Sequence, residues 1–196
     1  MEDLINEMQE YAKEHRVPIM ESTGLSFLLA HISAYKYTNI LEIGSAIGYS
    51  AIRMAMLSKN IQITTIERDE NRYIKACENV KKAGLDNRIQ VVFSDALTWT
   101  TTDMYDFIFI DAAKAQYIKF FERYQKHLQP KGSILSDNLK FHGMVDTKMR
   151  IQNRNTRQLV TKIRRYIDFL KQSEEYKTTF YEIGDGIAIS VKKHHS

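Results

Sequence analysis

The stretch Asn39-Ile-Leu-Glu-Ile-Gly44-Ser-Ala-Ile-Gly48-Tyr-Ser50 decides the fold of this 196-residue chain. Its apolar run ends at Gly44, and apolar residues then recur at helical spacing as far as Leu57. A second β-branched run follows at 61–66 and ends in the acid Glu67. Strand, glycine turn, helix, strand and acid form the first half of a nucleotide-binding βαβ unit. We therefore predict a ligand site beyond the carboxyl ends of these strands.

The number of glycines narrows the choice of ligand. A dinucleotide fingerprint has three glycines, because the backbone must approach a pyrophosphate closely. The pattern Glu42-x-Gly44-x-x-x-Gly48-x-Ser50 has only two, which favours a ligand with ribose and adenine but no phosphates. S-adenosylmethionine is such a ligand, and Glu67 would accept hydrogen bonds from its ribose hydroxyls. The alternative is an ordinary turn whose glycines only permit a tight bend.

The composition is that of a globular protein in a reducing compartment. Hydrophobic residues make up 43% of the chain and charged residues 27%, and the only cysteine is Cys77. No apolar run reaches the length of a membrane span, and no signal-peptide pattern opens the chain. We expect one cytoplasmic domain over 1–196, with N-terminal helices at 1–36 and a Rossmann-like core at 37–196.

Hydrophobic periodicity predicts an α/β fold. Expected helices cover 2–15, 22–35, 69–83 and 116–127. Further strands are expected at 89–93, 105–110 and 133–136, with a turn at 130–132 before the last of them. The segments 176–183 and 187–192 alternate with period two around Gly184-Asp185-Gly186, which indicates a hairpin. The prediction is a doubly wound, mostly parallel sheet with a C-terminal antiparallel hairpin.

Oxygen-bearing side chains end two of these strands. Asp111 follows one strand, and Asp137 and Asn138 follow another. If the two strands are neighbours, the three side chains converge and form a set that suits Mg²⁺, Mn²⁺ or Ca²⁺ rather than zinc. Such an ion would lower the pKa of a substrate hydroxyl. Lys114 would take the proton as general base if the nearby metal depresses its own pKa. The alternative is a turn at 137–138 and a solvated lysine at a helix start.

Two other residues have open assignments. Met20, between the first two helices, either reaches the cofactor or fills the core. Asp95, one step beyond the third strand, either accepts the adenine amino group or a neighbouring backbone donor, or caps the next turn.

Several motifs resemble one known family. Glu42-Ile-Gly-Ser-Ala-Ile-Gly-Tyr-Ser50, Asp111-Ala-Ala-Lys114 and Asp137-Asn138 are similar to the metal-dependent O-methyltransferases of catechol and caffeoyl-CoA. More closely, four segments resemble the bacterial tRNA 5-hydroxyuridine methyltransferases: Val17-Pro-Ile-Met20, Asp111-Ala-Ala-Lys-Ala-Gln-Tyr117, Phe141-His-Gly143 and Gly184-Asp-Gly-Ile-Ala-Ile-Ser190. The chain departs from that pattern at its start, where other members carry an additional segment.

The resemblance implies a seven-stranded class I methyltransferase sheet, a homodimer, and methyl transfer from S-adenosylmethionine to a ring hydroxyl. It implies metal ligation by Asp111, Asp137 and Asn138. In the tRNA branch the acceptor would be the wobble 5-hydroxyuridine in the anticodon region, which becomes 5-methoxyuridine. By matching position it implies cofactor contacts at Met20, Ser50, Glu67, Asp95, Ala96 and Asp111, to which we add Glu42 and Gly44 of the same glycine motif.

A basic segment favours the RNA-modifying branch. Between Lys140 and Lys171 there are nine basic residues and two acidic ones. On a helical projection the arginines gather on one side and the apolar residues on the other. Arginine pairs well with phosphate oxygens, so we expect RNA contacts from this face. Its members are Arg150, Arg154, Arg157, Arg164 and Arg165.

Three rival functions are kept open. The nearest is the same chemistry on a small catechol or a hydroxycinnamoyl thioester. An NAD-dependent oxidoreductase is a second, which the missing third glycine disfavours. A non-catalytic RNA-binding module is a third, disfavoured by the intact set of Asp111, Lys114, Asp137 and Asn138.

Overall fold

The computed structural model describes residues 1–140, 143–146 and 152–193. The strands are β1 (Asn39–Ile43), β2 (Gln62–Glu67), β3 (Ile89–Phe93), β4 (Tyr105–Ile110), β5 (Leu128–Ser136), β6 (Tyr176–Tyr181) and β7 (Ile187–Lys192). The α-helices are α1 (Glu2–Glu14), α2 (Ser22–Tyr35), α3 (Tyr49–Ala55), α4 (Glu70–Lys82), α5 (Tyr117–Tyr124) and α6 (Arg154–Gln172). Single 3₁₀ turns at Lys114–Gln116 and Gln125–His127 flank α5.

The seven strands form one sheet in the order β3-β2-β1-β4-β5-β7-β6. Strands β1 to β5 pair in parallel, whereas β7 is antiparallel to both of its neighbours. This arrangement confirms the predicted mixed sheet with its C-terminal hairpin. Ile43 is level with Ile66 on one side and with Ile110 on the other, and Ile110 is level with Ser136. The residues that follow these strands therefore start from one edge of the sheet.

Both faces of the sheet are buried, which explains the near-continuous apolar run of β4. Phe107 and Phe109 pack into the core beneath α1, α2 and α3. Ile108 and Ile110 point the other way, into the core shared with α5 and α6. Side chains alternate along a strand, so a strand covered on both sides is apolar at most of its positions.

The expected turn at 130–132 is wrong. Strand β5 begins at Leu128, and its pairing with β4 shifts between Tyr105 and Phe107, so the proline and glycine lie inside a bulged strand. A Cβ on Gly132 would come within 2.7 Å of the carbonyl oxygen of Asp106. The glycine therefore marks close strand approach rather than a chain reversal, as glycines in bulged strands do.

Helix α6 begins later than the projection assumed. Asn153 caps it by accepting a hydrogen bond from the Thr156 N–H at 3.0 Å, and the first helical residue is Arg154. Arg150 lies outside the described residues, as do positions 141 and 142 of the motif at 141–143. Within the described ranges, no helix is long and apolar enough to cross a bilayer.

Candidate active site

A cavity of about 450 Å³ opens at the carboxyl edge of the parallel strands. Its floor is formed by the residues that follow β1, β2, β3, β4 and β5, and the connection between α1 and α2 closes one side. The lining includes these sequence-predicted residues: Met20, Gly44, Ser50, Glu67, Asp95, Ala96, Asp111, Lys114, Asp137 and Asn138. One cavity therefore brings together the predicted cofactor residues and the predicted metal residues.

The first glycine of the motif is required by close packing. Gly44 has a φ of +103°, and a Cβ there would lie 2.1 Å from the carbonyl oxygen of Asp111. The N–H groups of Gly44 and Ser45 both donate to the carbonyl of Ile66, at 3.0 and 3.2 Å. The turn after β1 is thus pressed between the ends of β2 and β4. A side chain at position 44 would push the turn after β1 away from Asp111 at the end of β4.

Glu67 is held by the backbone around it. Its Oε1 accepts hydrogen bonds from the N–H groups of Arg68 and Asp69, and its Oε2 accepts one from Ala46, all at 2.9 Å. Each carboxylate oxygen can accept two hydrogen bonds. Oε2 therefore retains one acceptor position at the cavity, which matches the predicted bond to a ribose hydroxyl.

The expected direct contact between Glu42 and the cofactor needs correction. Glu42 has no exposed surface and does not line the cavity. Its carboxyl group accepts hydrogen bonds from the hydroxyls of Ser50 and Thr65, and Thr65 in turn contacts Ser45 at 2.5 Å. Burial raises the pKa of Glu42 to about 7, although the hydrogen bonds from Ser50 and Thr65 act in the opposite direction. Glu42 thus lies behind the cofactor turn, where it orients the cavity-lining Ser50.

For Asp95 and Met20, the structure is consistent with both of the alternatives given above. Asp95 Oδ1 accepts a hydrogen bond from the Leu97 N–H at 2.8 Å, so the residue does cap its turn, and its side chain also lines the cavity. Met20 is buried in the core and lines the cavity as well. Neither observation by itself assigns a ligand contact.

The predicted metal residues meet because β4 and β5 are neighbours. Asn138 Nδ2 donates to Asp111 Oδ1 at 2.9 Å and to Asp137 Oδ2 at 3.2 Å. The φ of Asn138 is +64°, a left-handed conformation that is uncommon outside glycine. Such strain concentrates at functional sites. The backbone of Asn138 is therefore shaped to bring its carboxamide between the two carboxylates.

Burial raises the pKa of both aspartates. For Asp137 the pKa rises to about 7, first because of burial and then because of the charge of Asp111. The pKa of Asp111 is also raised by burial, which the positive charge of Lys114 partly offsets. Two buried carboxylates of like charge need a cation or a proton between them.

This donor set fits a hard divalent ion. Two carboxylates and one carboxamide oxygen are ligands that Mg²⁺ and Ca²⁺ accept. To ligate, Asn138 would turn its Oδ1 toward the ion in place of the Nδ2 that donates to the aspartates. A hexacoordinate ion would then keep three positions for water and substrate. Among the described residues no group of three or more His, Cys, Asp or Glu side chains forms a metal cluster. The candidate set of Asp111, Asp137 and Asn138 is not a group of that kind, because its third ligand is an amide.

Asp185 is a charged lining residue to which the sequence analysis gave no role. It lies in the turn between β6 and β7, and its negative charge contributes to the raised pKa of Asp137. Its carbonyl accepts a hydrogen bond from the Lys140 N–H at 2.6 Å. The available signal was the antiparallel direction of the last strand. A strand that runs antiparallel beside β5 starts at the edge where β5 ends.

The arginines of α6 do not form one uniform face. Arg154, Arg157 and Arg165 are exposed, and the opposite side of the helix is buried against the sheet. Arg164 is exposed as well, but its Nε and Nη2 donate to the carbonyl of Val145 at 3.0 and 2.8 Å. Arg164 thus holds the segment at Val145, and the expected RNA contacts of all four arginines stay a prediction.

Comparison with known proteins gives a consistent result. The model of a family described as O-methyltransferase matches residues 1–193. Tapetum-specific methyltransferase 1 of Arabidopsis thaliana is 31% identical over 183 residues, which cover 90% of this chain and 77% of that protein. The catechol O-methyltransferase of Niastella koreensis is 31% identical over 178 residues, which cover 85% of this chain and 77% of the relative.

Solved structures share the fold. A Staphylococcus aureus protein, provisionally assigned as a caffeoyl-CoA O-methyltransferase, superimposes with a TM-score of 0.92 at 38% identity, covering 96% of this chain and 92% of the other. An O-methyltransferase from Bacillus cereus in complex with S-adenosylhomocysteine (SAH) gives a TM-score of 0.84 at 27% identity, covering 97% and 91%.

Proposed function

Because this chain belongs to the O-methyltransferase family, we propose that it transfers a methyl group from S-adenosylmethionine to a hydroxyl of a small catechol or hydroxycinnamoyl-CoA-type substrate, with a divalent cation such as Mg²⁺. The relatives named for catechol and caffeoyl-CoA support this acceptor class.

The observation that carries the proposal is the continuity of the cavity. Two of its lining residues, Glu67 and Asp95, suit a nucleoside. The same cavity is lined by the oxygen-rich set of Asp111, Asp137 and Asn138. The turn at Gly44 contacts the carbonyl of Asp111, so the two sets are directly adjacent. Methyl transfer requires this adjacency, since donor and acceptor atoms must be held in line within one site.

The chain's own residues divide the work. Glu67 binds the ribose, and Ser50, oriented by Glu42, lines the same end of the cavity. Asp111, Asp137 and Asn138 would hold the cation. When bound, S-adenosylmethionine supplies an activated methyl group, and the cation supplies positive charge that lowers the pKa of an acceptor hydroxyl. Lys114 is half-buried beside Asp111. A cation bound there would favour the neutral form of its amine, whose Nζ could then receive the hydroxyl proton.

The test is turnover of a catechol or caffeoyl-CoA, followed as formation of methylated product and SAH. Asp137→Ala should abolish turnover while leaving SAH affinity within about threefold, because the substituted carboxylate belongs to the cation set. Asp168→Ala removes an exposed aspartate on α6 and serves as the matched control. Normal turnover by Asp137→Ala, or by the wild type with excess chelator, would contradict the cation-dependent mechanism.

A second acceptor is favoured by one specific observation, the exposed arginines of α6. Arg154, Arg157 and Arg165 lie on the solvent side of the helix, and no acidic residue stands in its first turn. Such a surface suits a phosphate backbone. In this alternative the acceptor is the wobble 5-hydroxyuridine of tRNA, bound through its anticodon region.

The two acceptors are separated by salt and by charge reversal. If tRNA is the substrate, the double variant Arg154→Glu/Arg157→Glu should lose tRNA affinity, and wild-type affinity should fall steeply with salt. A control double variant, Lys81→Glu/Lys177→Glu, reverses two exposed charges on α4 and β6. Loss of 5-methoxyuridine from tRNA of cells lacking the protein would support this acceptor. Unchanged nucleoside content together with turnover of catechol would eliminate it.

A further inference from the structure

Helix α5 carries a buried tyrosine at each end. Tyr117 and Tyr124 are each 1% exposed, and neither lines the cavity. They are seven residues apart, about two helical turns, so they lie on one side of the helix roughly 10 Å from each other along its axis. Phe120 lies between them in sequence and does line the cavity. The helix thus runs beside the site, and its two terminal phenols lie behind the lining.

The first tyrosine holds the cation end of the site. The hydroxyl of Tyr117 donates to the carbonyl oxygen of Asp137 at 3.0 Å. That carbonyl belongs to the peptide group that joins Asp137 to Asn138. Because this peptide is planar, fixing its oxygen restrains both residues at the point where Asn138 enters its left-handed conformation. The hydroxyl therefore restrains the donor set through the backbone, without contacting a side-chain atom that would bind the cation.

The second tyrosine holds the nucleoside end. The hydroxyl of Tyr124 donates to the carbonyl oxygen of Ala96 at 2.6 Å. Ala96 directly follows Asp95 in the turn that lines the cavity, and Asp95 itself is tied to Leu97 N–H. The phenol therefore sets the position of this turn from behind.

Both phenols are kept as hydrogen-bond donors by their surroundings. Burial raises the pKa of Tyr124 to about 12 and holds the pKa of Tyr117 well above its usual value. A buried hydroxyl is unfavourable unless it makes a hydrogen bond, so each bond to a carbonyl is strongly retained. The cation end has one more tie: Tyr166 packs edge-on against Tyr117, with ring centroids 5.3 Å apart, and its hydroxyl bonds Ser136 at 2.6 Å.

We propose that α5 fixes the cation end and the nucleoside end of the site relative to each other. Tyr117 is the positioning residue for the cation set, and Tyr124 is the positioning residue for the adenine-side turn. This inference rests on the proposed function, because it assumes that the two ends of the cavity bind a cation and a nucleoside. It predicts that loss of the Tyr117 hydroxyl impairs cation binding alone, and that loss of the Tyr124 hydroxyl impairs nucleoside binding alone.

The experiment compares Tyr117→Phe, Tyr124→Phe and the wild type. Mn²⁺ affinity is measured by electron paramagnetic resonance, and SAH affinity by calorimetry. Tyr117→Phe should weaken Mn²⁺ binding about fivefold, the factor that one net hydrogen bond contributes, with SAH affinity unchanged within twofold. Tyr124→Phe should weaken SAH binding about fivefold and leave Mn²⁺ affinity unchanged. In steady state, Tyr124→Phe should raise KM for S-adenosylmethionine, whereas excess Mn²⁺ should restore kcat in Tyr117→Phe.

Tyr176→Phe is the matched control. It removes a buried phenol that contacts the carbonyl of Gln125 at 3.5 Å, at the same end of α5 as Tyr124 but away from the cavity. Both affinities should stay at wild-type values in this variant. If Tyr117→Phe does not fold, Tyr166→Phe tests the cation end, since it releases Ser136 beside Asp137.

Two results would overturn the inference in different ways. If the wild type binds both probes and the two variants lose both affinities together, or lose neither, the positioning role of α5 is wrong while the proposed function stands. If the wild type binds neither Mn²⁺ nor SAH, the proposed function is wrong, and the positioning role of α5 is wrong with it.

Discussion

Replacing Glu67 by glutamine should weaken SAH binding by about 10- to 100-fold. The side chain is 7% exposed, and three backbone N–H groups surround its carboxylate at 2.9 Å. Glutamine has the same shape but carries one amide nitrogen in place of a carboxylate oxygen. At the Oε1 position the new nitrogen would face two backbone N–H donors, and at the Oε2 position it would face one.

The magnitude follows from the arrangement of those donors. Oε1 accepts from two N–H groups, so the less costly orientation puts the new nitrogen at the Oε2 position, opposite Ala46. In the proposed function Oε2, which has only one backbone donor, binds the ribose, so the ribose hydroxyl would lose its charged acceptor. A hydrogen bond to a charged group is worth about 1.5–3 kcal/mol. Since 1.4 kcal/mol corresponds to a factor of ten, the loss is about 10- to 100-fold in Kd.

The assay is calorimetry with SAH and with an analogue that lacks the 2′ and 3′ ribose hydroxyls. Glu67→Gln should lose affinity for SAH but little for the analogue, because the analogue has no hydroxyl for Glu67 to bind. Glu70→Gln, in the exposed first turn of α4, is the matched control. An SAH affinity within threefold of the wild type, or an equal loss for both ligands, would refute the assignment of Glu67 to the ribose.

Three further outcomes are expected. Gly44→Ala should abolish SAH binding or folding, because its Cβ would lie 2.1 Å from the carbonyl of Asp111; Gly84→Ala, with φ +65° and no atom within 4 Å, should lower Tm by only a few degrees. Glu42 has a folded-state pKa raised to about 7, so its contribution to stability is complete near pH 4 and is lost as the pH rises through 7. Melting curves should therefore show Glu42→Gln gaining Tm relative to the wild type between pH 5 and pH 8, and a constant difference would contradict the raised pKa. Burial lowers the pKa of His31 to about 4, so its contribution is present above pH 6.5 and is lost as the pH falls towards 4; His31→Gln should accordingly lose less Tm than the wild type between pH 7 and pH 4.5.

Local signals were sufficient for most of the fold. Runs of β-branched and apolar residues predicted β1 to β4, because a strand covered on both faces is apolar at most of its positions. The helices α2 and α4 were predicted for similar reasons, and the structure gives α4 an Asp69 cap that accepts from Arg72 N–H at 3.0 Å. The start of β5 was not predicted. Pro130 and Gly132 carry a strong local turn signal, but they lie in the irregular stretch of β5 between the pairs Tyr105–Leu128 and Phe107–Ser133.

The site divides in the same way. Asp111, Asp137 and Asn138 were recognised together because residues that follow parallel strands share one edge of the sheet. Glu42 and Arg164 were assigned from pattern; Glu42 proved to be buried away from the cavity, and Arg164 also binds a backbone carbonyl. The identity of a carboxylate or a guanidinium does not say whether it faces the cavity, a neighbouring hydroxyl or a backbone carbonyl.

The order of strands and helices along the chain, the two-glycine turn and the candidate metal ligands were predicted from the sequence. These depend on contacts between residues that are near in the chain, or on the fixed geometry of strand ends. The three-dimensional packing was needed to show which of these side chains share one cavity, that Asp185 joins them from the hairpin, and that the hydroxyls of Tyr117 and Tyr124 bond the backbone behind the lining. Those contacts join residues 20 or more positions apart. Their partners are selected by the packing of whole helices on the sheet, for which no short stretch of sequence carries a signal.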